Sequence, residues 1–144
     1  MSSSNKKMEV ENFHYSENRD GRVKDTGEVF TPDSLVQKML DQLSIDWNNP
    51  PQDKMCLDPT CGTGAFLTAL AKRGIPINMI YGVELMPDNV AITKQRLSDI
   101  FLDKGMNIED INYHLDRNIV CADALTYHFN FHEHNEKGIS NEEW

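Results

Sequence analysis

Apolar residues return at helical spacing along Leu35, Val36, Met39, Leu40 and Leu43, so "FTPDSLVQKMLDQL" is predicted to be a helix with one apolar face. Thr31 is placed to cap it, and Pro32 suits its first position. The periodicity stops in the turn-rich "DWNNPPQD" and gives way to "KMCLD", a short strand predicted over 54–57. Ala65 to Arg73 reads as the next helix, ended by Gly74 and Pro76, and "NMIYGVEL" as a second strand. Pro87 opens a long helix whose buried side is predicted to carry Val90, Ala91, Leu97, Ile100 and Phe101. "RNIVCAD" is the third strand. Strands that alternate with helices predict parallel βαβ units in a doubly wound α/β sheet, with 77–83 beside 54–57 and 117–121 beyond. That order leaves the other edge of "KMCLD" open. Such an edge calls for a second copy, a separate protein, or residues 125–134 folded back as a covering strand. Residues 1–25 are polar and read as a flexible arm, 26–125 as the α/β domain, and 126–144 as a polar and aromatic tail.

Composition narrows the classes. A chain of 144 residues can bury the core of one domain. No apolar run approaches the ~20 residues of a membrane span, and "MSSSNKKMEVENF" has no apolar core for a secretory signal. Cys56, Cys61 and Cys121 form no C-x-x-C pair, so neither a disulfide framework nor a zinc ribbon is indicated, and a reduced cytoplasmic setting is expected. The net charge of −9 is the wrong sign for gripping a phosphate backbone unaided. Contact with DNA is therefore expected only indirectly or through additional domains.

"CLDPTCGTGAFLTAL" joins the first strand to a helix through a glycine-bearing turn. A phosphate-cradling loop would need Gly-Lys-Ser/Thr, but Gly64 is followed by Ala65 and Phe66. A dinucleotide fingerprint would need a third glycine, where Leu67 stands. What remains is an adenosine ligand without phosphates and with a charged amino-acid tail, a description that S-adenosylmethionine fits. Gly62 and Gly64 let the backbone approach such a ligand, and the following helix N-terminus favours its carboxylate; Asp58 is placed to receive its ammonium. The plainer alternative is that both glycines serve only a tight turn. Glu84 ends the second strand twenty residues after Gly64, where a nucleotide-binding βαβ unit places an acid against ribose hydroxyls. Asp123 ends the third strand, placed to accept from an adenine amino group.

"TGEVFTP" (Thr26–Pro32), "LDPTCGTGAFL" (Leu57–Leu67), "YGVEL" (Tyr81–Leu85) and "CADAL" (Cys121–Leu125) together resemble the cofactor motifs of amino-group DNA methyltransferases. They stand in the order of the adenine-N6 enzymes and of the modification subunits of type I restriction systems. The resemblance implies a Rossmann-like S-adenosylmethionine-dependent methyltransferase fold, incomplete, with its first three parallel strands and flanking helices. It also implies that Thr31 and Pro32 help enclose the methionine part, and that Asp58, Cys61, Gly62 and Gly64 form the loop. Glu84 would hold the ribose, and Asp123 with Ala124 would meet the adenine.

In that family an Asn- or Asp-Pro-Pro-aromatic segment after the fourth strand accepts the hydrogens of the amine and stacks on the flipped base. Here "NNPPQ" matches all but the aromatic, but Gln52 replaces it and the segment precedes the first strand. It reads as a connector. "TYHFNFHEHNEKGISNEEW" offers no such motif, so catalytic residues are left unassigned and the enzyme is expected to be complete only with further protein. A stand-alone cofactor-binding or regulatory protein is the rival. His128, His132 and His134 could suit a metal but read as a solvated end, with no metal expected.

Overall fold

The computed structural model of the chain describes residues 31–131, which belong to the second of its two units, Thr31–Trp144; the first is Met1–Phe30. The predicted arm over 1–25, Thr26–Phe30 of the first motif, and His132, His134 and Trp144 lie outside the described residues.

Helix α1 (Asp33–Asp41) precedes β1 (Cys56–Asp58), α2 (Ala65–Lys72), a 3₁₀ turn (Ile77–Met79) and β2 (Ile80–Glu84); α3 (Pro87–Asp103), α4 (Ile108–Asn118) and β3 (Ile119–Cys121) follow. The three strands form one sheet in the order β1-β2-β3. Both pairings are parallel, with Leu57 opposite Tyr81 and Val83 opposite Val120. The α/β class and the strand order are those expected.

Two successive crossovers that step in one direction, each right-handed, lay their helices on the same sheet face. Period-2 alternation then divides the strand residues. Ile80 and Ile119 join Leu67, Leu70, Val90, Leu97, Phe101, Ile111 and Leu115 in the helical core, together with Val36 and Leu40 of α1. Tyr81, Val83 and Val120 face the other way and are covered by Tyr127, Phe129 and Phe131. Gly82 makes close packing possible on the helical side. A Cβ there would stand 2.7 Å from Leu67 Cδ1 and 3.0 Å from Cys61 Sγ.

Several expectations are corrected. Pro32, not Thr31, is the N-cap of α1, and no side chain caps that helix. The helix buries Val36 and Leu40, while Leu35 and Met39 on it, and Leu43 just beyond its end, are each more than two-fifths exposed. Ala91 is exposed and Ile100 half-buried, because α3 turns the stripe of Val90, Leu97 and Phe101 inward. Residues 125–131 do fold back, but with no strand among them: they form an aromatic hook on the sheet face. Phe131 meets Tyr81 edge-on at 4.9 Å, and its N–H donates to Tyr127 Oη at 2.9 Å. Phe129 and Phe131 hold positive φ of 57° and 42°, a conformation that costs an L residue about 1–2 kcal/mol and persists here against the packing of the rings.

Candidate functional site

Asp58, Glu84 and Asp123 stand at or just beyond the C-terminal ends of β1, β2 and β3, the end of a parallel sheet where ligands bind. The loop from β1 to α2 is bent by two left-handed glycines, Gly62 at φ 57° and Gly64 at φ 89°. Gly64 also has no room for a side chain, since a Cβ would lie 2.9 Å from Thr93 Cγ2. As the N-cap of α2 it leaves the first-turn amides of that helix without intrahelical acceptors.

Glu84 pins this loop. Its carboxylate accepts from Gly62 N at 2.9 Å, Met86 N at 3.0 Å and Asn89 Nδ2 at 3.2 Å. At 7% exposure, three of its roughly four acceptor positions are engaged. Charge-assisted bonds of this kind are about twice as strong as neutral ones, so the acid ties loop, strand end and α3 together. On the other side of the loop, Cys61 N donates to Val83 O at 2.9 Å, stitching it to β2.

Asp58 is half-buried and accepts from Thr60 N at 3.1 Å, which turns the chain into the loop. Burial above all, and then the negative charge of Glu84, hold its carboxyl above the usual 3.8, while the Thr60 N–H pulls the other way. Cys61 is buried, and desolvation, followed by the nearby Asp58 and Glu84, pushes its thiol up to about 12. It is a neutral packing group at physiological pH, not a nucleophile. Asp123 is exposed; one carboxylate oxygen accepts from Leu125 N at 2.9 Å, and its carbonyl takes Thr126 N and Tyr127 N. Ala124 packs under the aromatic hook. Thr31 and Pro32 are exposed at the start of α1, where the Pro32 carbonyl accepts from Leu35 N and Val36 N at 3.1 Å within the helix.

Leu85 and Leu125, 61% and 94% exposed, follow the acids of β2 and β3 and leave an apolar rim at the same sheet end. Sequence reasoning did not single them out, nor the polar residues of α3 that grip the loop. Thr93 Oγ1 donates to Gly62 O at 2.9 Å, and Arg96 Nη1 to Thr63 O at 2.7 Å. Asn89, Thr93 and Arg96 recur at i, i+4 and i+7 beside the apolar stripe of α3, and that spacing was the available signal.

"NNPPQ" lies at the opposite end. Pro50 Cγ would stand 2.7 Å from a Cβ at Gly74, and Gln52 Nε2 donates to Gly74 O at 3.2 Å, beyond the C-terminus of α2. Among the described residues, no group of three or more His, Cys, Asp or Glu is arranged to hold a metal ion. No helix among them is long and apolar enough to cross a membrane.

A parallel sheet with this glycine loop at its C-terminal end, and an acid at each strand end, defines a Rossmann-like methyltransferase domain. The chain belongs to the N-6 DNA methylase family, whose model matches residues 12–144. That match runs beyond the Thr26–Leu125 span of the motifs and carries a function related to DNA methylation. No curated protein and no solved structure matches the chain.

Proposed function

We propose that this chain is the S-adenosylmethionine-binding part of an adenine-N6 DNA methyltransferase of the restriction-modification kind. The observation that carries the reading is the loop itself: two positive-φ glycines opening α2, pinned by Glu84 between Asp58 and Asp123. The fit is chemical as well as spatial. The α2 N-terminus suits the carboxylate of the ligand, and Asp58 suits its ammonium. The acceptor position of Glu84 that its three donors leave open suits a ribose hydroxyl. The second oxygen of Asp123 suits the adenine amine, with Ala124 and the exposed Leu85 and Leu125 as apolar cover. Thr31 and Pro32 close the methionine end. When bound, S-adenosylmethionine supplies a methyl group on a sulfonium, and positioning does most of the work of the displacement.

Family membership in N-6 DNA methylase supports this reading. "NNPPQ", held at the far end of β1 and α2, takes no part in the transfer. The side that accepts the amine belongs to further protein. That protein, or a second copy of the chain, pairs with the open edge of β1, and DNA is held through it rather than by this acidic chain.

Titration calorimetry of the intact chain with S-adenosylmethionine and S-adenosylhomocysteine tests the proposal. Binding is expected, and Gly64→Val or Glu84→Ala should weaken it at least tenfold, about 1.4 kcal/mol. A folded chain that binds neither ligand overturns the assignment.

A further inference from the structure

We infer that α3 is a positioning comb for the ligand loop, with Thr93 and Arg96 tuning recognition of the amino-acid tail and Asn89 tuning recognition of the ribose. The inference rests on the binding function proposed above.

Asn89, Thr93 and Arg96 share one helix face at i, i+4 and i+7, and each reaches a different point of the site. Asn89 and Thr93 are 2% and 0% exposed, so their polar groups are committed to partners inside the protein. Thr93 Oγ1 holds Gly62 O at 2.9 Å. In a planar trans peptide the C=O and N–H point in opposite directions. Drawing the Gly62 carbonyl to α3 therefore aims the Thr63 N–H away from it. Arg96 holds the next carbonyl, Thr63 O, at 2.7 Å, and reaches Thr68 Oγ1 at 3.4 Å in the first turns of α2. The methyl of Thr93 fills the space where a Cβ at Gly64 would be. Together these contacts set the orientation of the loop peptides and of the α2 N-terminus, the part of the site suited to a carboxylate.

Asn89 acts elsewhere. Its amide donates to Glu84 Oε2 at 3.2 Å, on the side of the carboxylate opposite the Oε1 that receives Gly62 N. It therefore orients the acid proposed to meet the ribose. None of the three need touch the ligand. Their effect passes through the loop and through Glu84, which predicts a pattern across ligand fragments that general destabilisation would not produce.

The test measures the affinity of the full chain for S-adenosylhomocysteine, for 5′-methylthioadenosine, which lacks the amino-acid tail, and for the 2′-deoxyribosyl analogue of S-adenosylhomocysteine. Thr93→Val and Arg96→Gln should each weaken S-adenosylhomocysteine about tenfold and leave 5′-methylthioadenosine within about twofold. Thr93→Ser, which keeps the hydroxyl and loses only the methyl beside Gly64, should recover most of the affinity that Thr93→Val loses. Asn89→Ala should weaken S-adenosylhomocysteine about tenfold and the 2′-deoxy analogue within about twofold. If Thr93→Val does not fold, the half-buried Arg96 carries the tail arm of the test. Variants that lower every ligand equally, or none, overturn the comb while leaving the binding function intact. A wild-type chain that binds no member of the set overturns both.

Discussion

At the scale of single residues, two of the three carboxylates of the site stand in opposite circumstances. Glu84 is surrounded by donors, whereas Asp58 has one backbone donor, at Thr60, and is otherwise penalised by burial and by the charge of Glu84. The folded-state pKa of Asp58 therefore lies above its ordinary value. In the pH range between the two, the folded chain binds more protons than the unfolded one, so stability falls as pH rises through that window. Above it, ionised Asp58 costs stability, the usual trade at a site kept for binding. Asp58→Asn can still accept from Thr60 N and removes the charge. It should raise the urea midpoint at neutral pH, by a margin that shrinks as pH is lowered toward 3.8, while weakening S-adenosylhomocysteine. An unchanged midpoint with unchanged affinity would show that Asp58 is neither strained nor a ligand group. That Asp58, Glu84 and Asp123 would stand at or just beyond the strand ends was legible in the sequence. That Glu84 spends three acceptors on the protein's own loop was not, because a backbone N–H has no signature in the sequence.

At the scale of elements, α2 and the start of α3 were legible from glycine and proline signals. The strand expected over 77–83 begins only at Ile80, because Ile77–Met79 forms a 3₁₀ turn and the continuous apolar run of a strand buried on both faces does not mark where it starts. Helix α4 was missed altogether. Its sequence, "IEDINYHLDRN", is polar on most positions and buries only Ile111, Leu115 and Asn118, so the apolar signal is thin. Its start was nonetheless written in Asn107, whose side chain accepts from Asp110 N at 2.8 Å, with Glu109 and Asp110 in the first turn. The tail misled in another way. Alternating aromatics in "YHFNF" suggested a strand, but the rings of Tyr127 and Phe131 sit 5.4 Å apart in a hook on the second face of the sheet, and β1 keeps its unpaired edge among the described residues. An edge of that kind invites another strand. Light scattering should therefore detect self-association or, with the natural partner present, a complex in which the amides of 56–58 exchange slowly. A monodisperse monomer whose 56–58 amides stay fast with every partner tried would remove the edge from the account.

At the scale of the whole molecule, the chain puts Asp58, Glu84, Asp123 and the glycine loop at one end of a three-stranded parallel sheet and the "NNPPQ" connector at the other. Helix α3 ties that end together through Asn89, Thr93 and Arg96, and among the described residues the second face is covered by the aromatic hook. The architecture was thus largely readable from strand–helix alternation, and with it the placement of Asp58, Glu84 and Asp123 at the strand ends. The α3 contacts behind the loop were not, because they depend on which helix face the folded chain turns toward Gly62 and Thr63. Amide hydrogen exchange of the intact chain, with and without S-adenosylhomocysteine, tests the central claim most directly. The account predicts ligand-dependent protection concentrated at 61–67 and at the strand ends 84–86 and 123–125, and lost in Gly64→Val. Binding that protects some other surface, or that leaves 61–67 exchanging at its unliganded rate, would contradict it.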